Sequence, residues 1–391
     1  MQWHVITPEY PPQCGGVSDY TYTISQALAA FGDQVHIWAP GAVSNIPSSS
    51  SIHVHSLPAG FSWRGLRDLE RRLRSYPAPL NLLIQYVPHG YGWKSMNLAF
   101  CFWIFLKRHH NVRIMFHEVA FPFRAGQRWR HTLLAVVHRM MAWVILRAAR
   151  QSFTSTDQYL SLLRKLGTSR MSLDMLRICS NVPSYSYSNQ TLRDRTDTDS
   201  ESVVGVFSAF GREICDVLEP AIACILRNPR MTLLLIGPAE MFLQTVIERY
   251  PMCADRISTT GRLHVSAVGE YMRRCDVLLQ LYPDGACASH GSLIAALASG
   301  TPVVTTQGLR TDQIFLESGS LLFAGDTPAA IREAIESILA APATARVFGK
   351  QARRVYEEYF RPEVIADKLR RMASENALPS LEPLVRSAAG D

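Results

Sequence analysis

The sequence predicts an α/β protein made of two doubly wound, Rossmann-like domains facing a deep cleft, and three observations carry that expectation. At 391 residues the chain exceeds what one ordinary core encloses. Short β-rich apolar runs alternate with helix-period stretches in both halves, the pattern of parallel strands joined by right-handed crossovers. Between the halves, residues 184–202 are rich in Ser, Asp, Thr and Asn and almost free of aliphatic side chains, which marks a linker.

In the first half, residues 1–183, the strands are expected at 5–7, 35–39, 82–87, 112–116 and 152–155. The first runs into Pro8-Glu9-Tyr10-Pro11-Pro12-Gln13-Cys14-Gly15-Gly16-Val17-Ser18-Asp19-Tyr20, a turn that opens a helix-patterned stretch. Amides at a helix amino end stabilise an anion, and glycine lets a ligand approach the backbone. Gly15 and Gly16 fit a tight turn and also a phosphate cradle; the position at the first crossover of an open parallel sheet favours the cradle. The alternation restarts in residues 203–355, with strands at 203–207, 233–236, 277–281, 303–306 and 321–323. Helix-period stretches at 327–340 and 343–373 follow, the second interrupted near Pro362, whose missing N–H kinks or breaks a helix. Residues 374–391 collect Pro, Ser and Gly and read as a loose tail.

Hydrophobic content of 47% against 19% charged describes a globular chain and excludes extended disorder. The 8 cysteines fall without C-x-x-C spacing, so a reducing, cytoplasmic setting is expected, and no signal peptide is expected before the first strand. The most apolar stretches, 98–106 and 133–149, are too short or carry His138 and Arg139, so neither is expected to span a bilayer. Charge is uneven: residues 1–190 hold 19 Lys or Arg against 8 Asp or Glu, and residues 191–391 hold 21 against 25. Arg124, Arg128, Arg130, Arg139, Arg147 and Arg150 lie near an apolar helical stretch, which fits peripheral docking on an anionic membrane surface and equally fits a solvated helix face. No nucleic-acid-binding motif is present, and nucleic acid is not an expected partner.

Two further stretches carry chemistry. His117, in Phe116-His117-Glu118, comes at the carboxyl end of a predicted strand and suits positioning a phosphate or a reacting hydroxyl; a satisfied strand-end histidine is the equal alternative. His-Glu-x-x-His metal spacing fails because position 121 is Phe. In Tyr282-Pro283-Asp284-Gly285-Ala286-Cys287-Ala288-Ser289-His290-Gly291-Ser292-Leu293, Ser289 or Ser292 can cap the next helix, and the amides of Gly291, Ser292 and Leu293 can face an anion. A purely structural cap is the other reading. Two cradles across one cleft would clamp a nucleoside diphosphate and exclude water from it.

These residues carry a resemblance. The loop from Pro8 to Tyr20 resembles the donor-phosphate loop of the retaining glycosyltransferases of family 4, which have the GT-B fold. Met115-Phe116-His117-Glu118 is similar to that family's strand-end histidine, and Ala295-Ala296-Leu297-Ala298-Ser299-Gly300-Thr301-Pro302-Val303-Val304 to its helix-turn-strand signature. Leu279-Gln280-Leu281-Tyr282-Pro283-Asp284-Gly285 resembles a bacterial subgroup associated with polysaccharide assembly. The resemblance implies a cytoplasmic enzyme moving a sugar from a nucleotide-sugar to a glycan, lipid-linked or small-molecule acceptor, with no metal and no further cofactor. It also implies that a helix within residues 356–373 packs back on the first domain. Gly15, Gly16, Gly291, Ser292 and Leu293 would hold the donor phosphates, and His117 would orient sugar or acceptor with Asp19 or Glu118 assisting. Ser289 and His290 stand where the subgroup has an arginine pair.

The departures are specific. Cys287 and Ala295 occupy the positions of two family glutamates, and Ser208 and Glu213 those of the Arg and Lys that neutralise the diphosphate. Arg212 and Arg262 are the remaining basic candidates, and Asp284 a candidate for the ribose. The losses motivate a rival reading, a GT-B scaffold without donor chemistry. An epimerase would also want the lost carboxylates, and a dehydrogenase lacks the G-x-G-x-x-G after the first strand. Loops at 88–93 and 121–130 are expected to set specificity.

Overall fold

The computed structural model describes residues 1–13, 15–41, 50–123, 126–167, 172–180, 182 and 201–375. In the first lobe β1 (Gln2–Ile6), α1 (Gly16–Ala30), β2 (Gln34–Pro40), β3 (Ile52–Leu57), α2 (Trp63–Leu73), β4 (Asn81–Tyr86) and α3 (Leu98–Leu106) follow one another. β5 (Asn111–Phe116), α4 (Trp129–Ala148), β6 (Gln151–Thr154), α5 (Asp157–Leu166) and β7 (Ser172–Met175) complete it. All pairings are parallel, in the order β3-β2-β1-β4-β5-β6-β7. β4 and β5 are buried along almost their whole length because helices cover both faces of the sheet, which is why apolar residues fill most of their positions, with Gln85 and Arg113 buried among them. Ser62, Asn97 and Thr156 cap α2, α3 and α5 by accepting from amides three residues on.

The second lobe runs β8 (Ser202–Phe207), α6 (Arg212–Ile225), β9 (Met231–Ile236), α7 (Glu240–Arg249), β10 (Ile257–Thr259), α8 (Val265–Arg274) and β11 (Val277–Gln280). It continues with α9 (Gly291–Ser299), β12 (Val303–Thr306), α10 (Gln313–Glu317), β13 (Leu322–Ala324) and α11 (Pro328–Leu339). Its parallel order is β10-β9-β8-β11-β12-β13. In each sheet the order reverses once, between β1 and β4 and between β8 and β11, and ligands of open α/β sheets bind at the carboxyl ends beside such a reversal.

Three strands go beyond the expected set: β3, β7 and β10. β3 reads Ile-His-Val-His-Ser-Leu, and its histidines occupy strand positions because His36 of β2 stacks on both of them. β7 and β10 are edge strands of 4 and 3 residues, too short for a periodic pattern. The first strand begins at Gln2, paired with Gln34, and Thr7 lies beyond its end.

Pro362 divides the last helical stretch into α12 (Pro342–Tyr359) and α13 (Pro362–Glu375), serving as the first residue of the new helix, where its missing N–H leaves no bond unmade. Tyr356 and Phe360 pack in the second lobe's core, whereas Ile365, Ala366, Leu369 and Ala373 of α13 pack with Trp3, Ile24 and Leu28 of the first. Arg370 Nε lies 2.9 Å from the buried Asp33 carboxylate, which also takes the amino terminus and the Trp3 indole. Arg113, wholly buried, donates to the Ala373 carbonyl at the end of α13 (3.0 Å). The expected linker falls largely on residues 183–200, outside the described residues, as do residues 376–391 of the expected tail.

Candidate active site

At the β1–α1 turn the amino end of the helix already faces a carboxylate. Glu9 Oε1 accepts from the amides of Val17 (3.1 Å) and Ser18 (3.0 Å). A Cβ on Gly15 would lie 2.3 Å from that oxygen, so glycine here makes room for Glu9. The anion at this helix end is therefore supplied by the chain, while Gly16 borders open space. Asp19, half-buried on α1, lines a groove of about 840 Å³ together with Tyr22, His264 and Glu363.

His117 leaves the carboxyl end of β5 beside β4. Its Nε2 lies 2.8 Å from Gln85 Oε1, and its ring meets the Tyr20 ring edge-on at 4.9 Å. With Gln85 Oε1 as acceptor, Nε2 carries the proton and Nδ1 keeps a lone pair. Burial pushes this imidazole down to about 4, against a smaller opposing pull from Glu118, so it is neutral at pH 7. Glu118, half-exposed, turns instead to His89 Nδ1 (3.3 Å); that contact holds its carboxyl below the usual range and His89 above it.

In the second lobe the β11–α9 loop builds a compact helix end. The His290 and Tyr282 rings stack at 4.0 Å, His290 Nδ1 accepts from the Cys287 amide (3.3 Å), and the Tyr282 and Ser292 hydroxyls meet at 2.8 Å. Burial above all pushes the Tyr282 phenol up, against smaller pulls from the Ser292 hydroxyl and the Leu293 amide. The amides of Gly291 and Ser292 make no hydrogen bond among the described residues, no side chain caps α9, and a Cβ on Gly291 would meet nothing within 4 Å. This is an amino end with exposed donors, unlike that of α1. Burial first, then the charge of Arg310, pushes His290 down to about 4. Arg310 Nη2 lies 3.9 Å from Cys287 Sγ, and its buried Nε has no partner among the described residues.

The lobes meet at two helix starts. Asp312, 2% exposed, accepts from the Asp157 amide (3.0 Å) of α5 and the Ala288 amide (2.6 Å), and Arg177 stands 3.9 Å from it. Asp157 accepts in return from the Gln313 amide (3.2 Å) of α10. Tyr159, next along α5, feels Glu118 from its own lobe and Arg310 and Cys287 from the other; burial above all pushes its phenol up to about 12. The carboxyl edges of the two sheets thus face each other here.

Ser289, His290, Gly291, Ser292 and Leu293 come together at one helix end as the sequence placed them, with Ser289 Oγ 3.1 Å from Cys287 Sγ. Arg212 does not join them: its side chain is 93% exposed, 3.8 Å from Asp216. Arg262 and Asp284 are also exposed, though the Asp284 carbonyl accepts from the Arg310 amide (2.8 Å). Cys287 and Ala295 are buried, Ala295 within the core of the second lobe. Sequence reasoning missed Glu9, Gln85, Arg310 and Asp312. Arg310 and Asp312 follow β12 directly, at the same sheet edge as the other site loops, and that position was the available clue. Among the described residues no group of three or more His, Cys, Asp or Glu is placed to hold a metal ion.

Residues 201–341 match the family model described as glycosyl transferases group 1. No curated protein matches the chain by sequence. Among solved structures it resembles sucrose-phosphate synthase from Thermosynechococcus elongatus, with 19% identity over 96% of this chain and 98% of that one and a TM-score of 0.69. HepE from Anabaena, solved with UDP and glucose, has 13% identity over 96% and 100% of the two chains and a TM-score of 0.67. WaaG, a glycosyltransferase involved in lipopolysaccharide biosynthesis, has 16% identity over 94% and 99% and a TM-score of 0.62. The chain accordingly has the GT-B fold, two parallel-sheet lobes with a last helix returning to the first, and its second lobe is similar to the group 1 glycosyl transferases.

Proposed function

We propose that the chain is a glycosyltransferase that moves a sugar from a nucleoside-diphosphate sugar to an acceptor hydroxyl with retention of configuration, in polysaccharide or glycoconjugate assembly in the cytoplasm. The observation that carries this reading is the amino end of α9, where the Gly291 and Ser292 amides have no partner among the described residues, in the lobe that matches the group 1 model. HepE, of the same fold, holds UDP and UDP-glucose. In this reading the α9 amides and Arg310 receive the charge that builds on the leaving diphosphate, an arrangement worth on the order of several kcal/mol in the transition state. Ser289 and His290 flank the phosphates, and His290, neutral at pH 7, donates through Nε2. The unprotonated Nδ1 of His117 accepts from a hydroxyl of sugar or acceptor, with Asp19 or Glu118 assisting. Gly16 and the turn before it border the donor from the first lobe, with Glu9 holding the turn in shape. Retention rests on the family resemblance, and Asp284 is the carboxylate proposed for the ribose.

Purified full-length chain titrated with UDP, GDP and ADP tests the binding step. A nucleotide held 100-fold above its dissociation constant raises stability by about 2.7 kcal/mol, which a thermal melt reads directly. A panel of nucleotide-sugars followed by nucleoside-diphosphate release tests the transfer. No thermal shift with any nucleotide and no turnover of any donor would overturn the proposal.

A further inference from the structure

We propose that the face formed by α3 and α4 docks the chain on an anionic lipid bilayer. Along α4, Trp129, Leu133, Val136, Met140 and Trp143 recur at the three- and four-residue spacing of one helix face, and each is at least 43% exposed. The opposite face of the same helix, with Met141, Ala142 and Ile145, packs into the core of the first lobe. α3 lies against α4 and adds Leu98, Phe102 and Leu106, 40–54% exposed. α3 is thus apolar all round and α4 carries apolar side chains toward solvent as well as toward the core, a pattern that ordinary surface helices lack. Single exposed apolar side chains need no explanation, but a continuous ridge does. At 1.5 Å per residue the α4 ridge alone runs for about 21 Å. No helix among the described residues is long and apolar enough to cross a membrane, so the ridge fits a surface contact.

Charge selects the occupant. Residues 93–150 contain 10 Lys or Arg and one acid, Glu118. Lys94, Arg108, Arg128, Arg130 and Arg147 are exposed and form no ion pair among the described residues. Arg108, Arg130 and Arg147 lie over the rings of Phe105 (4.5 Å), Trp129 (5.7 Å) and Trp143 (3.6 Å), so charged heads rim an apolar and aromatic ridge. That order, apolar bodies inward and cations at the rim, matches the depth profile of a bilayer interface with anionic headgroups. A second copy of the chain meeting this face symmetrically would set cations against cations with no acid to separate them. The docking does not depend on the glycosyl-transfer reading.

The test mixes the full chain with vesicles of phosphatidylcholine alone and with vesicles of phosphatidylcholine and phosphatidylglycerol, reading bound protein by co-sedimentation. Binding to the anionic vesicles is expected to exceed that to the neutral ones by roughly tenfold or more and to fall as salt is raised. Arg128→Glu with Arg130→Glu is expected to weaken it by roughly tenfold or more, since each basic residue near an anionic leaflet counts for about fivefold. Trp129→Glu with Leu133→Glu is expected to abolish binding and leave the melting temperature unchanged, as both side chains face solvent. Should that variant not fold, the arginine pair and the salt series decide. Equal binding to both vesicle types, no binding to either, or binding untouched by the arginine variant overturns the proposal. So does a wild-type dimer that Leu133→Glu dissociates without any vesicle binding, which would assign the face to a second copy.

Discussion

Arg310 enters the site from the loop after β12, and a motif built around helix starts passes over it. Its buried Nε has no partner among the described residues, and a buried donor left unpaired costs about 1–3 kcal/mol until an acceptor arrives. A diphosphate oxygen is such an acceptor in the proposed complex. Arg310→Ala is expected to weaken nucleoside-diphosphate affinity by roughly 10- to 100-fold, the span of a charged hydrogen bond, in an isothermal titration; equal affinities would remove Arg310 from the site. Histidines make the second residue-scale point. His4, His36 and His53 stand in register on β1, β2 and β3, and His36 Nδ1 lies 3.1 Å from His55 Nε2. Burial first, then neighbouring histidines, pushes His4 down to about 3 and His55 to about 4, and lowers His36. The unfolded chain therefore binds more protons than the folded one below about pH 6.5, and stability falls as pH falls through that window. His4 alone accounts for about 2 kcal/mol lost between pH 7 and pH 5. Urea midpoints at the two values measure it, and coincident curves would contradict it.

At the scale of elements, α1 and α9 have the same origin, a strand-end turn with glycine before a helix, and different occupants. The sequence could place both amino ends but not tell them apart. Glu9 lies several residues upstream of the amides it accepts from, and only the folded turn brings its carboxylate onto Val17 and Ser18. Glu9→Gln removes the charge that complements the helix dipole and is expected to cost about 1 kcal/mol in a denaturant titration. Gly15→Ala drives a methyl into the Glu9 carboxylate and is expected to lose the same cap. The two effects should therefore fail to add in the double variant. Full additivity would mean that Glu9 and Gly15 act independently. α9 differs because its nearest polar neighbours already bond one another: Tyr282 to Ser292, and His290 to the Cys287 amide. Among the described residues nothing turns back onto the Gly291 and Ser292 amides.

At the scale of the whole molecule, two devices among the described residues join the lobes. One is α13, whose Arg370 reaches Asp33 and whose Ala373 carbonyl accepts from the buried Arg113. The other is the exchange in which Asp312 and Asp157 each accept from the helix start of the opposite lobe. Asp312→Ala leaves two amides and Arg177 without their acceptor, and is expected to cost roughly 3–5 kcal/mol, as when one partner of a buried charged pair is removed. A larger radius of gyration in small-angle scattering should accompany it; an unchanged radius and melting curve would show that α13 alone holds the lobes. Most of the doubly wound architecture was legible in the chain because parallel strands covered on both faces, such as β4 and β5, are mostly apolar on both sides, and the break at Pro362 follows from one missing N–H. β3 was not legible, since its histidines suit a strand only beside His36. The helix starts at Gly16 and Gly291, and His117 at a strand end, could likewise be read from local pattern. What tertiary structure alone decided is which helix end stays unpartnered, which cation stands near it, and how the lobes are tied. Glu9, Arg310 and Asp312 act on groups that are distant along the chain or in the other lobe, and periodicity reports only on neighbours within a few residues.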